Sequence, residues 1–198
     1  YEVLDEIPFW SNGHGFRNKK RDRLYHYDKL NNKITPISDE YTNVELVNFK
    51  DNKVIFAGRT FTDKQGLTSG LYVYDVKSQN LEVIVDKNLY DISYANFIED
   101  KIICALSDMK AYGLNENHKL YLIDSNKNIT LLNDNDTWLS CTVGSDCRLG
   151  GGKSFKVIGN KLYFLATIAE RVYLKSIDTN GKVEILSDKD GTIDFFDI

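Results

Sequence analysis

Leu71-Tyr72-Val73-Tyr74-Asp75 is the clearest copy of a short pattern on which the fold depends: leucine, tyrosine, an apolar stretch and a closing aspartate. The pattern occurs four times in the 198 residues, and successive copies start 47, 49 and 52 residues apart. The other copies are Leu24-Tyr25-His26-Tyr27-Asp28, Leu120-Tyr121-Leu122-Ile123-Asp124, and Val172-Tyr173-Leu174 leading to Asp178. Self-similarity at such a period is typical of repeat architectures.

Each copy stands at the same place in a larger unit. A polar turn such as Lys77-Ser78-Gln79-Asn80 follows it, and then another short apolar strand such as Leu81 to Val85. Upstream lies a second hairpin, in which Val47-Asn48-Phe49 turns through Asp51-Asn52 into Val54-Ile55-Phe56. Four strands joined by tight Asn, Asp and Gly turns are typical of an antiparallel β-propeller blade. Since helical periodicity is almost absent, the sequence predicts an all-β protein.

The repeat predicts about four blades of four antiparallel strands. Their expected ranges are 1–38, 44–86, 92–134 and 153–187, with the start of a further blade at 192–198. We expect the first to begin at its second strand, residues 1–4, and the last to contribute one inner strand, residues 193–198. Closed propellers take roughly four to eight complete blades. Because this chain would start and stop inside blades, we expect a partial β-propeller, a piece of a larger protein.

Composition excludes several classes of function. The 25 Lys and Arg residues against 29 Asp and Glu give a net charge of -4, which argues against sequence-independent nucleic-acid binding. No apolar run approaches the roughly 20 residues that span a bilayer, and no basic-then-apolar leader is visible. Cys104 is expected in a buried strand, while Cys141 and Cys147 are either free thiols, which we favour, or a small disulfide. So few cysteines suggest a reducing, cytoplasmic location.

No catalytic, cofactor or metal motif is recognisable. Ser154 is the nearest approach to a Gly-x-Ser-x-Gly nucleophile elbow, and it lacks the second glycine. His14, His26 and His118 show no triad arrangement with a hydroxyl and a carboxylate. Gly150-Gly151-Gly152-Lys153 leads into a strand, whereas the lysine of a phosphate-binding loop opens a helix. We therefore assign no catalytic residue, no cofactor and no metal site.

Long loops are expected on one face of the blades, where binding residues tend to concentrate. They cover residues 5–23, 60–70, 108–119 and 133–152. A basic run lies in the first loop: Arg17, Lys19, Lys20, Arg21 and Arg23. We interpret this run as a solvated flank, with pairing to an acidic partner surface as the alternative.

Two segments resemble a known family. Ile7-Pro8-Phe9-Trp10-Ser11-Asn12-Gly13-His14-Gly15-Phe16 resembles a motif in the propellers of prolyl-oligopeptidase-family serine peptidases, most of all the acylaminoacyl-peptidase and dipeptidyl-aminopeptidase branch. The stretch from Val143 through Asp146 and Arg148 to Gly151 is similar to a Ser-Asp-x-Arg segment of that family. The resemblance implies a seven-bladed propeller that caps a C-terminal α/β-hydrolase domain and restricts access to short peptides.

The resemblance implies a non-catalytic role for this chain, as the propeller portion of a serine exopeptidase. Its partners would be the α/β-hydrolase domain and a peptide substrate, with no nucleic acid and no membrane. The candidate substrate or domain-interface residues are Phe9, Trp10, His14, Phe16, Arg17, Asp146 and Arg148. We expect the apolar residues of 8–16 to pack on a blade or on the hydrolase domain, and open blade edges to self-associate. A stand-alone propeller binding module, TolB-like or a sensor for a partner or glycan, is the alternative.

Overall fold

The computed structural model describes residues 1, 3–134, 136–143, 153–187 and 191–198. These residues form β-strands with a single short 3₁₀ turn, Gly113–Asn115. They divide into two compact units, Tyr1–Ala95 and Asn96–Ile198. Within the described ranges, no helix is long and apolar enough to cross a membrane.

The first unit contains two small hairpins and one larger antiparallel sheet. The first hairpin pairs β1 with β2, and the second pairs β3 with β4. The sheet has the order β5-β6-β7-β8, and β8 continues into the second unit. The strands are β1 (Trp10–Ser11), β2 (Gly15–Phe16), β3 (Tyr25–Asp28), β4 (Lys33–Pro36), β5 (Thr42–Lys50), β6 (Lys53–Thr60), β7 (Ser69–Asp75) and β8 (Asn80–Ile98).

The second unit follows the same up-and-down pattern. The end of β8 is followed by β9, β10 and β11 in one antiparallel run, and β12-β13-β14-β15 form a separate four-stranded sheet. These strands are β9 (Lys101–Ser107), β10 (Lys119–Ile123), β11 (Ile129–Asn133), β12 (Phe155–Ile158), β13 (Lys161–Ile168), β14 (Arg171–Asp178) and β15 (Val183–Ile185). Each strand pairs with its sequence neighbour, as the tight polar turns predicted.

The middle strands are buried on both faces. Consecutive residues of β6, Ile55 to Ala57, are almost inaccessible to solvent, and so are Ile103 to Leu106 in β9. Because successive side chains of a strand point to opposite faces, a run of buried residues means that both faces are covered. Cys104 lies in this run, which confirms its predicted place in a buried strand, and burial raises the pKa of its thiol.

The aspartate that closes each repeat caps a turn. The Asp75 carboxylate accepts hydrogen bonds from the backbone N–H groups of Lys77 and Ser78, at 3.0 and 2.8 Å. The aspartates of the other three copies accept equivalent hydrogen bonds from backbone N–H groups that lie two to four residues further along the chain. These aspartates are Asp28, Asp124 and Asp178. Hydrogen bonds from the turn hold the pKa of Asp75 below its ordinary value. The repeated aspartate therefore satisfies backbone donors that the turn would otherwise leave unpaired.

Among the described residues, neither of the two terminal strands that we expected is present. Residues 1 and 3–4 are not in a strand, and neither are residues 193–198. A strand exists only where its backbone pairs with a neighbour, and here the end of the chain takes a different position. The N–H of Ile193 donates to the carbonyl of Val172 at 3.2 Å, and Ile193 and Phe196 pack against a cluster of Cys141, Leu165 and Val172.

Candidate functional site

An apolar hairpin stands out from the first unit. We use this name for residues 7–16, which contain β1, a turn and β2. The rings of Phe9, Trp10 and Phe16 are 43%, 52% and 58% exposed. Gly13 and Gly15 take positive φ angles of 79° and 71°, which glycine adopts without strain and which let the chain reverse here. Each of the three side chains is thus about half covered and leaves its other half open to a partner.

The backbone of the apolar hairpin is nevertheless fixed in place. The N–H of Ile7 donates to the carbonyl of Asp63, and the N–H of Gln65 donates to the carbonyl of Ile7, both at 2.8 Å. At the other end, the N–H of Arg17 donates to the carbonyl of Phe9 at 2.8 Å. The loop that carries the hairpin therefore contacts the loop between β6 and β7, two of the long loops picked out in the sequence.

A buried ion pair lies at the base of the apolar hairpin. The side chains of Glu6 and Arg21 are each 4% exposed, and the two guanidinium nitrogens donate to the two carboxylate oxygens at 2.7 and 2.9 Å. Arg21 also donates to the carbonyl of Phe61 at 2.9 Å, and its guanidinium lies 3.8 Å from the centre of that ring. Arg21 holds the pKa of Glu6 below its ordinary value, and the N–H of Lys19 adds to this effect. Such bidentate, charge-assisted contacts fix geometry.

The basic run is therefore not simply a solvated flank, as its sequence suggested. Arg21 is buried, and Arg17 donates to Asp22 and Asn43 at 2.9 and 3.2 Å with only a quarter of its side chain exposed. Of the same run, Lys19 is mostly exposed and pairs with Asp5. The arginines face inward because their long side chains reach carboxylates and carbonyls from other loops, which a local pattern does not reveal.

A cleft of about 200 Å³ opens beside the apolar hairpin. Residues of both polarities line it, among them Pro8, Ser11, Arg17, Arg21, Glu45 and Phe61. Arg59 bridges Glu45, which lines the cleft, and Asp91, at 2.8 and 2.7 Å. Burial raises the pKa of Glu45. The cleft offers fixed hydrogen-bond donors and acceptors next to exposed aromatic rings, which suits binding.

The structure brings five of the seven predicted site residues together. Phe9, Trp10, His14 and Phe16 belong to the apolar hairpin, and Arg17 follows it directly. His14 is exposed at the turn, where its N–H donates to the carbonyl of Ser11 at 3.2 Å. The other two candidates, Asp146 and Arg148, lie outside the described residues, as does Cys147.

The hydroxyl and imidazole groups considered for catalysis make other contacts. Ser154 shares a hydrogen bond of 3.0 Å with the hydroxyl of Ser140. His26 packs edge-on against Tyr74, and its Nδ1 lies 3.5 Å from the tyrosine hydroxyl. Within the described part of the chain, no three metal-ligating side chains converge. Within the described ranges, the hydrogen bonds given for Ser154 and His26 thus lead to Ser140 and Tyr74 and do not join a hydroxyl to an imidazole and a carboxylate.

Sequence reasoning missed the residues that hold the site together. Glu6 and Asn18 are buried polar residues, and Asn18 accepts a bond from the N–H of Glu6 at 3.3 Å and donates to the carbonyl of Val3 at 2.9 Å. A weak signal was available. Glu6 is the acidic residue that precedes the apolar stretch 7–10, and a basic run follows the same hairpin.

Comparison with known proteins supports the fold. No family model matches the chain, and no curated protein sequence matches it. Acylaminoacyl peptidase from Pyrococcus horikoshii is similar with a TM-score of 0.65 at 16% identity, over 95% of this chain and 28% of that one. The β-propeller domain of the Trilobed protease from Pyrococcus furiosus gives 0.57 at 17% identity, over 86% of this chain and 45% of that one. TolB from Acinetobacter baumannii has a TM-score of 0.51 at 15% identity, over 86% of this chain and 39% of that one.

These likenesses confirm the predicted fold class, an all-β chain with the strand arrangement of part of a β-propeller. At such low identities they are evidence for the fold alone. The chain spans less than half the length of each of these three proteins. The resemblance to acylaminoacyl peptidases noted in the sequence thus recurs in three dimensions.

Proposed function

We propose that this chain is the non-catalytic propeller portion of a serine exopeptidase of the acylaminoacyl-peptidase or dipeptidyl-aminopeptidase type. In this role it would restrict access of short peptides to a separate α/β-hydrolase domain. The observation that carries the proposal is the apolar hairpin, whose exposed Phe9, Trp10 and Phe16 are held on a rigid polar base. Rings presented in this way are suited to an interface with another domain.

The exposed rings offer substantial binding free energy. Aromatic side chains bury about 150–250 Å² each when fully covered, so covering the exposed halves of three rings removes about 300 Å² from water. At about 25 cal/mol per Å² this contributes about 7 kcal/mol before the entropy of association is subtracted. Because the hairpin backbone is already fixed, little further ordering opposes the contact. The area is small for a whole interface, so the rings would form its centre.

The cleft beside the hairpin is suited to a polar group of the peptide or of the partner domain. Arg17 is anchored by Asp22 and Asn43, and it lines the cleft together with Arg21 and Glu45. A guanidinium in a fixed position recognises carboxylates or backbone carbonyls in a defined geometry. Arg17 and His14 would make polar contacts with the peptide or the partner domain beside the cleft. Asp146 and Arg148 remain further candidates for such contacts.

Tryptophan fluorescence tests the proposed interface. Trp138 is the second tryptophan, so a Trp138→Phe variant leaves Trp10 as the single reporter. We expect red-shifted emission and efficient acrylamide quenching in the isolated chain, measured at dilutions where light scattering shows it to be monomeric. In the full-length parent protein the signal of Trp10 is the difference between the protein with Trp10 and its Trp10→Phe variant. We expect this difference signal to be blue-shifted and protected from quenching, because the hydrolase domain covers the ring. Equal quenching in both proteins would exclude Trp10 from the interface.

A stand-alone binding module is the second candidate. The likeness to TolB supports it as well, since that structure is similar over 86% of this chain. In that case the exposed rings would bind a separate partner or a glycan. The fluorescence of Trp10 in the isolated chain would then change when this partner is added, with no hydrolase domain present.

Four further points belong to the proposal. We assign the ranges 1–38, 44–86, 92–134 and 153–187 as blades, about four of seven. The isolated chain would self-associate through open edges and exposed rings. The parent protein would be cytoplasmic. The chain would bind no nucleic acid.

A further inference from the structure

A groove of about 620 Å³ lies on one face of the sheet in the first unit. Phe56, Tyr72 and Val83 are cross-strand partners on β6, β7 and β8, so they share this face and form the floor of the groove. The volume is in the range of sites that bind small ligands. The groove is separate from the cleft beside the apolar hairpin, although Phe61 lines both.

The aromatic floor of the groove depends on a glycine. The rings of Phe56 and Tyr72 stack, with their centroids 5.0 Å apart and an angle of 21° between their planes. Gly70 precedes Tyr72 on β7, and a Cβ at this position would lie 2.4 Å from the hydroxyl of Tyr72. Glycine therefore leaves the space that the phenol ring occupies. Phe56 is buried, whereas Tyr72 is partly exposed.

Polar groups surround this floor. The hydroxyl of Thr42, a residue that is only 2% exposed, shares a hydrogen bond of 2.7 Å with the hydroxyl of Thr60. Burial raises the pKa of Tyr72, and the charges of Asp86 and Asp39 add to this effect. Both carboxylates thus lie close enough to act on the phenol, and both residues line the groove.

The two carboxylates have capacity left for a ligand. One oxygen of each accepts a backbone N–H from its own turn, Asp39 from Tyr41 and Asp86 from Asn88, both at 2.9 Å. Among the described residues, none forms an ion pair with either carboxylate. Of the described residues that line the groove, two are acidic and one, Lys87, is basic. The charge of the groove therefore favours a cationic ligand.

The same unit already shows how it binds a guanidinium group. Arg21 donates two hydrogen bonds to the carboxylate of Glu6 and lies 3.8 Å from the centre of the Phe61 ring. Arg23 lies 5.3 Å from the centre of the Tyr25 ring. A guanidinium is planar and weakly hydrated, so it stacks on aromatic faces while it pairs with carboxylates, whereas an ammonium is strongly hydrated. Aromatic rings flanked by carboxylates thus favour a guanidinium.

We propose that this groove binds the arginine side chain of a peptide segment. The guanidinium would stack on the ring of Tyr72 and pair with Asp39 and Asp86. One arginine side chain does not fill a groove of about 620 Å³. Leu81 and Val83 extend it with partly exposed apolar surface, which the residues next to the arginine would cover. The occupant is therefore a peptide segment and not free arginine. This inference does not depend on the proposed function, because it needs only this chain.

Isothermal titration calorimetry with a blocked tripeptide tests the proposal. The probe is leucyl-arginyl-valine, acetylated and amidated so that its ends carry no charge. We expect saturable binding that weakens as salt is added. Citrulline has nearly the shape of arginine without its charge, and its peptide should bind about tenfold more weakly. The lysine peptide should also bind more weakly than the arginine peptide, and arginine amide alone should bind more weakly still.

Two conservative variants locate the binding. Asp39→Asn and Asp86→Asn each remove a charge and keep an oxygen that can accept the N–H of the turn. Each should weaken binding of the arginine peptide about threefold, and the double variant about tenfold. Neither should change the binding of the citrulline peptide. Asp75→Asn is the matched control, because Asp75 also caps a turn in this unit but does not line the groove.

Several results would overturn the proposal. Equal affinity for the arginine and citrulline peptides would show that the charge is not recognised, and equal affinity for the lysine peptide would refute the guanidinium. Arginine amide that binds as tightly as the tripeptide would refute the peptide segment. Binding that the double variant retains in full would place the site elsewhere. If the double variant does not fold, the single variants and the peptide series on the wild type decide.

Discussion

Replacing Arg21 by methionine removes the cation from the base of the apolar hairpin and leaves Glu6 buried. In the wild type, the carboxylate of Glu6 accepts two guanidinium bonds and one bond from the N–H of Lys19. The variant keeps only the last of these. Breaking a buried pair by removing one partner costs about 3–5 kcal/mol, because the remaining charge is uncompensated. For a chain of this length we expect the Tm to fall by roughly 10 °C.

The same variant has a defined pH dependence. In the wild type the pKa of Glu6 is lowered by Arg21, so its contribution to stability is present above the ordinary pKa and is lost as the pH falls through the folded pKa. Without Arg21, burial raises the pKa of Glu6 instead. Protonation then relieves the penalty in the variant. Urea unfolding at pH 7, 5.5 and 4 should therefore show the two proteins converging as the pH falls.

Two variants control for simple loss of a surface charge. Lys19→Ala removes an exposed pair with Asp5 from the same loop, and it should leave the Tm almost unchanged. Glu6→Gln combined with Arg21→Met removes both charges, and it should recover part of the lost stability. If Arg21→Met is as stable as Lys19→Ala, or if its deficit does not depend on pH, the buried pair does not hold the hairpin.

Three further predictions follow from the site and the core. The isolated chain should not hydrolyse aminoacyl or acyl-aminoacyl chromogenic substrates, and activity that Ser154→Ala or His14→Ala abolishes would contradict this assignment. Trp10→Ser with Phe16→Ser should weaken self-association in a light-scattering concentration series at an unchanged Tm; association equal to that of the wild type would place the contact elsewhere. Cys104, buried and with a raised pKa, should be alkylated only on unfolding, as peptide mass mapping would show, and rapid labelling of the native protein would move it out of the core.

The repeat made most of the fold predictable from the sequence. Strand alternation and tight turns are local properties, so the pattern at Leu71 to Asp75 indicated both the strand type and its partners. The aspartate of the pattern proved to have a local role as well, since it caps the turn that follows. Features encoded within a few residues could therefore be predicted.

The support of the site could not be predicted in this way. Glu6 and Arg21 are 15 residues apart, and Phe61 lies 40 residues beyond Arg21, so no local period relates them. From the sequence alone, a basic run is interpreted as exposed to solvent. The carboxylates and carbonyls that pair with it come from distant segments and are brought to it only by the fold. The prediction of terminal strands was wrong for a related reason. An apolar stretch such as 193–198 becomes a strand only where a neighbouring strand edge is available for pairing.

The parent reading frame tests the central proposal most directly. Sequencing beyond the codon for Ile198 should show the remaining propeller strands and then a Gly-x-Ser-x-Gly motif, with Asp and His following in that order as in α/β-hydrolases. An open reading frame that stops without such a segment, or that continues into an unrelated domain, would contradict the peptidase assignment and favour the stand-alone binding module.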